Sequence, residues 1–239
     1  MENVEEKIKK ASEAFDKSDY RTSFEILKPL AEQGDAKAQF NLGFLYRIGH
    51  GVNQNYKKAY HWYSLAAEQG YAEAQYKIGL MYYKGQVVAQ DYQKAFKWYS
   101  LAAKQDDPKA QFNLGVLYRR AEGVAQDHQQ AFKWFLLAGE RGYARAQFTL
   151  GGIYANGEGV SQDYQKALEY YKKSETLFIK KRRLLLFWIS RHGINGLLTS
   201  SEVRTSRLSV RKTEKFLYKA TTQPYQDLII NPRNVAVLR

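Results

Sequence analysis

The chain has 239 residues, a net charge of +13 and no cysteine. That length holds one large or two small domains, and the lack of thiols excludes disulfides, thiolate zinc sites, iron–sulfur clusters and cysteine nucleophiles together. The longest apolar run, Leu184–Ile189, is six residues against about 20 for a membrane-spanning helix, and the N-terminus alternates charge where a secretory signal is apolar, so a cytoplasmic protein is expected.

Val4 to Lys17 reads as a first helix. After it comes a strip, Tyr20, Phe24, Leu27, Leu30, Ala31 and Gly34, that recurs 36 residues later as Tyr56, Tyr60, Tyr63, Ala66, Ala67 and Gly70. The first helix lacks the signature carried by the later units. Residues 1–35 are therefore expected to be an N-terminal capping helix pair, because a terminal repeat with one wet face is atypical.

From residue 36 the chain repeats. Ala38-Gln-Phe-Asn-Leu-Gly43 returns as Ala74-Gln-Tyr-Lys-Ile-Gly79, Ala110-Gln-Phe-Asn-Leu-Gly115 and Ala146-Gln-Phe-Thr-Leu-Gly151, each step 36 residues without insertion. The same register carries Tyr46, Tyr82, Tyr118 and Tyr154, and then Trp62, Trp98, Trp134 and Tyr170. Each unit reads as two helices. The first has apolar positions 38, 42, 45 and 46 at helical spacing and stops at a glycine-bearing loop such as Gly49-His-Gly51. In the third unit it is introduced by Asp107-Pro108, a capping side chain and a proline at the first helical position. Asn55, Asp91, Asp127 and Asp163 are placed to cap the second helix. That helix runs through Ala59, Trp62, Tyr63 and Ala66, and Gly70 or Gly142 ends it. The alanines and Gly43 let the two backbones approach, with the Trp-Tyr pair filling the space beyond; the three in-register tryptophans are expected to be core. One helix pair cannot bury this face alone, so the units stack.

The unit Ala-Gln-x-x-Leu-Gly-x-x-Tyr, Gly-x-Gly-Val, Asp-Tyr-x-Lys-Ala-x-x-Trp-Tyr-x-x-Ala-Ala-x-x-Gly closely resembles the Sel1-like repeat, a relative of the tetratricopeptide repeat, over about residues 1 to 175. The resemblance implies an all-α fold, an αα-superhelical solenoid with four units at 36–71, 72–107, 108–143 and 144–175. It also implies a scaffold or adaptor that brings partner proteins together. Val87 and Ala121 stand where the other units have glycine, and slightly altered turns are expected there. The missing cysteines separate the chain from the cysteine-rich bacterial branch of the family.

After Ser174 the repeat fails, with Phe187 where a fifth unit needs glycine. Residues 176–239 carry 13 Lys or Arg against Glu202, Glu214 and Asp227, a net of +10, so the first 175 residues supply only +3. Residues 176–191 read as a C-terminal capping helix, as an anchor whose Lys180-Lys-Arg-Arg183 and Leu184–Ile189 meet an anionic membrane face, or as a disordered segment. Residues 192–239 read as a basic, poorly ordered tail, in which Arg204 to Lys215 is the stretch suited to nucleic-acid phosphates.

No catalytic set stands out. His50, His61, His128 and His192 form no close ligand pair, so no metal site is expected. The Gly49–Gly51 and Gly157–Gly159 loops lack the preceding strand and the lysine-hydroxyl ending of a phosphate loop. Ser209-Val-Arg-Lys212 has none of the motifs that accompany a Ser-x-x-Lys nucleophile. Neither an enzyme nor a cofactor is read from the sequence. What remains is the groove, which in tetratricopeptide-like solenoids is lined by the first helix of each unit. The outward positions suited to peptide recognition are Lys37, Asn41, Arg47, Lys77, Lys84, Lys109, Asn113, Arg119, Arg120 and Arg145, above an aromatic floor of Phe40, Tyr76, Phe112 and Phe148. Glu73 is the one acid among these positions, so the expected partner is a protein or peptide with acidic segments. Nucleic acid or a membrane surface is expected only through the tail.

Overall fold

The structure, a computed structural model, describes residues 3–174. The described residues fall in one unit, Met1–Ser174, and the expected capping helix, anchor and basic tail lie outside them. Among the described residues the regular elements are all helices: α1 (Val4–Asp16), α2 (Tyr20–Glu32), α3 (Ala36–Ile48), α4 (Tyr56–Glu68), α5 (Ala72–Lys84), α6 (Tyr92–Lys104), α7 (Pro108–Arg120), α8 (His128–Glu140) and α9 (Ala144–Asn156). A tenth helical run, α10, covers 164–174. Each helix packs chiefly on the next in sequence, the arrangement of an αα solenoid.

The boundaries arise from side-chain chemistry. Asn3 and Glu6 close a capping box on α1. Asp35 and Asp107 accept from the amides of Ala38 and Ala110 at 2.7 Å. Asn55, Asp91, Asp127 and Asp163 each accept from the amide three residues on, at 2.8–3.0 Å. Each such bond satisfies one of the unpaired donors at a helix start.

The core tracks the small residues. Ala38, Leu42 and Leu45 of α3 are buried with Ala59, Tyr63 and Ala66 of α4, and the set recurs along the stack. A Cβ built on Gly43, Gly79, Gly115 or Gly151 would lie within 2.6–2.9 Å of the ring of Tyr63, Tyr99, Phe135 or Tyr171. This corrects the sequence reading: Tyr63, Tyr99 and Phe135 are fully buried, whereas Trp62, Trp98 and Trp134 are half-buried at the edges of the clusters. Successive helical residues are turned by about 100°, so only one member of the Trp-Tyr pair faces the glycine.

The turns at Val87 and Ala121 keep a left-handed backbone without glycine: Val87 holds φ 71° and Ala121 φ 57°, beside Gly51 at 71° and Gly49 at 74°. A side chain in that conformation is strained.

A second contact joins the units and was not read from the sequence. Gln39 donates to the carbonyl of Ala31 at 3.2 Å, and Gln69 donates both to Gly34 O at 2.9 Å and to Gln39 Oε1 at 2.8 Å. Gln75 and Gln105 repeat this relay one unit on. At the next junction Arg141 takes the place of Gln105 and pairs with Asp106, so the buried Gln111 Oε1 has no donor.

Candidate peptide groove

The first helices α1, α3, α5 and α7 face a common groove of about 370 Å³. Its apolar wall is Phe15 of α1, Phe40 and Phe44 of α3, and Tyr76 of α5; its polar lining includes Asn41, Lys77 and Lys109. Three of the ten sequence-predicted residues are thus brought together directly. Around them, Lys77 lies within electrostatic reach of Arg47, Lys109 and Lys84. Burial first, then these like charges, lower its pKa, while Asp107 opposes them. Its ammonium stands 5.6 Å from the centre of the Tyr76 ring, and that of Lys109 stands 6.0 Å from the same ring. The Arg47 guanidinium lies 5.0 Å from the centre of the Phe44 ring. Cations held over aromatic faces present their charge at a fixed place.

The remaining predicted residues are spread along the same helix set. Lys37 is exposed at the start of α3 and Arg145 at the start of α9. Asn113 is half-buried; its side chain eases the upward shift that burial imposes on the Tyr76 and Tyr99 hydroxyls. Arg119 and Arg120 are already engaged, at 3.9 Å from the Glu158 carboxylate and 3.8 Å from that of Glu122. Of the floor, Phe40 and Tyr76 line the groove. Phe112 packs on Phe135 and Tyr143, and Phe148 is exposed beside Tyr171.

The groove lining is not basic as the sequence suggested: three carboxylates stand on it against the two ammoniums of Lys77 and Lys109. Asp16 and Asp107 line it together with Glu73. Asp107 was read only as a helix cap, and it is one; its carboxyl also faces the groove, where burial raises its pKa against the Ala110 amide that lowers it. Asp16 sits on the capping helix, where no repeat signature marks which face is concave. Ser12 and Phe15 of that helix were missed for the same reason.

Beside the groove the buried Tyr63 hydroxyl neighbours the Arg47 side chain, with the Tyr63 ring against Phe40 and the Arg47 guanidinium over Phe44. Burial pushes the Tyr63 phenol up to about 12, partly offset by the Arg47 charge.

The Sel1 repeat model matches residues 36–71, 72–107, 108–143 and 144–176. The chain belongs to the Sel1 repeat family. A protective antigen of uropathogenic Escherichia coli, described as having this repeat fold, is 44% identical with a TM-score of 0.62, over 64% of this chain and 33% of its own. A Sel1 repeat protein from Oxalobacter formigenes is 36% identical with a TM-score of 0.63, over 66% of this chain and 65% of its own. A putative Sel1 repeat protein from Klebsiella pneumoniae, 21% identical with a TM-score of 0.50 over 78% of this chain and 93% of its own, shares the fold. The chain thus spans a third of the first relative and just under two thirds of the second. No curated protein matches the sequence. Sel1 repeat proteins generally act as scaffolds that bind other proteins, and the family is typically non-enzymatic. Among the described residues, no helix is long and apolar enough to cross a membrane.

Proposed function

We propose that this Sel1 repeat protein is a non-catalytic scaffold whose concave groove takes up peptide segments of partner proteins, preferring acidic ones. The observation that carries this is the groove across α1, α3, α5 and α7. There, an apolar wall of Phe15, Phe40, Phe44 and Tyr76 stands beside Asn41, Lys77 and Lys109. Apolar contact supplies affinity, the amide of Asn41 suits backbone carbonyls, and the lysines steer and select acidic segments.

A second reading rests on charge. Residues 176–239 hold +10 of the chain's +13, which favours contact with nucleic acid or an anionic membrane through the tail, with the repeats as a spacer. Truncation after Ser174 separates the two. A pull-down from the native host in which the shortened chain keeps the full chain's protein partners supports the groove. Loss of those partners together with heparin or lipid binding supports the tail.

A further inference from the structure

The fourth unit departs from the others on its first helix. Gly152 stands where the earlier units have Phe44, Leu80 and Val116, and Ala155 where they have Arg47, Tyr83 and Arg119. One turn before Gly152, on the same face of α9, Phe148 is 48% exposed. Phe40, Tyr76 and Phe112 in its register are half-buried. Phe40 and Phe112 are covered by Tyr71 and Tyr143 of the following unit, with ring centres 5.2 and 5.3 Å apart. Among the described residues Phe148 leans on Tyr171 of its own unit, at 5.2 Å. Gly152 is not required by that unit. A Cβ on Gly151 would lie 2.6 Å from the Tyr171 ring, whereas one on Gly152 would meet the Tyr171 hydroxyl at 3.7 Å and nothing closer. No positive φ calls for glycine at 152, and glycine inside a helix is destabilising. An exposed aromatic knob and an open hole thus lie one turn apart on α9.

We propose that two copies of this chain associate through α9, antiparallel about a two-fold axis, with Phe148 of each seated over Gly152 of the other beside the Tyr171 hydroxyl. A two-fold contact is self-complementary, so one knob and one hole on the same patch satisfy it twice and close the assembly at two copies. Charge selects the antiparallel sense. Arg145 is exposed in the first turn of α9 and is the one charged residue of that helix. It makes no ion pair among the described residues, and a parallel pair would set the two guanidiniums side by side. In the antiparallel pair each reaches the last turn of the other α9, at Ala155 and Asn156, where a helix end carries partial negative charge. The short side chain of Ala155 leaves room for it. The earlier units cannot pair this way, because Phe44, Leu80 and Val116 fill the position of the hole. A single helix pair is small beside the roughly 1,200 Å² that stable interfaces bury, so the dimer is weak and depends on concentration.

The test is sedimentation equilibrium of the full chain over about 1–500 µM. The mass should rise reversibly from that of one chain toward that of two and no further. Gly152→Leu fills the hole and should weaken association at least about tenfold. The melting temperature of the dilute variant should hold or rise, because leucine is the better helix former. Phe148→Ser should give the same loss of association, and Arg145→Glu should weaken the dimer by setting a carboxylate against the other helix's C-terminal end. A chain that stays monomeric at the highest concentration would overturn the proposal and leave Phe148 to another occupant, a partner protein or the chain beyond Ser174. A dimer that survives both Gly152→Leu and Phe148→Ser would overturn it by moving the association elsewhere on the chain. Growth of the mass beyond the dimer would overturn the two-fold closure.

Discussion

The ring of Tyr99 lies so close to Gly79 that a Cβ on the glycine would sit 2.8 Å from its Cδ1. This contact, repeated with Gly43 and Tyr63 and with Gly115 and Phe135, sets the spacing of the two helices in a unit. Tyr99→Ala should therefore cost about 3–5 kcal/mol, the range for a buried large aromatic. Trp98→Ala, which removes a half-buried ring, should cost about half as much. Gly79→Ala should cost about 1–3 kcal/mol through overpacking. Urea unfolding of the three variants checks the order, and a Trp98 variant less stable than the Tyr99 variant would contradict it.

The hydroxyls of Tyr63 and Tyr99 are buried without a well-formed hydrogen bond, while Phe135 fills the same place in the third unit with the ring alone. Tyr99→Phe should raise stability by about 1 kcal/mol, since it removes an unsatisfied polar group and keeps the shape. The same burial raises both phenol pKa values, that of Tyr63 to about 12. The folded state thus favours the neutral phenol. Full stability is present below the ordinary tyrosine pKa of about 10 and is lost as pH rises from there through the folded value. Melting temperature against alkaline pH should fall less steeply in the Tyr63→Phe, Tyr99→Phe double variant than in the unaltered chain.

How much of this was legible in the sequence differs from residue to residue. The 36-residue period, the caps at Asn55, Asp91, Asp107, Asp127 and Asp163, and the burial of positions 38, 42 and 45 could be read directly, because capping and helical spacing are local rules. Which of Trp98 and Tyr99 meets the glycine could not, because it depends on how one helix is rotated against another. The relay through Gln39 and Gln69 was equally hidden: a glutamine in a signature does not announce an acceptor thirty-odd residues away. In the groove, Lys77 and Lys109 could be placed from register, whereas Asp16 lay on the capping helix and Asp107 already had a role as a cap.

Val87 keeps a left-handed φ of 71° with its side chain 41% exposed. A β-branched residue in that conformation is strained. Val87→Gly should therefore raise stability by roughly 0.5–1 kcal/mol, the relief of strain exceeding the entropy that glycine adds to the unfolded chain. Ala121→Gly should gain less. Thermal melts of the two variants measure this; destabilisation by Val87→Gly would show that its side chain contributes contacts that outweigh the strain.

At the third junction, Asp106 holds φ 67° where Gly34, Gly70 and Gly142 stand in the other units, and its pairing with Arg141 replaces the glutamine relay. Asp106→Gly with Arg141→Gln should restore a donor to Gln111 Oε1 and stabilise the protein by about 1 kcal/mol. The gain should be non-additive between the two substitutions. A double-mutant cycle by urea unfolding, repeated at high salt, separates the ion pair from the relay.

The most direct test of the scaffold reading is charge reversal inside the groove. Lys77 and Lys109 line it, whereas Arg119 is tied to Glu158 and makes a poorer probe. Lys77→Glu with Lys109→Glu should weaken affinity for the protein partner at least tenfold, and binding by the unaltered chain should fall with added salt, as exposed charges are screened over about 10 Å at 0.1 M. Because both lysines stand over the Tyr76 ring and within reach of Asp107, the melting temperature should fall somewhat, and affinity is compared only where the variant remains folded. Unchanged affinity in a folded double variant would contradict the account and move the interaction off the groove.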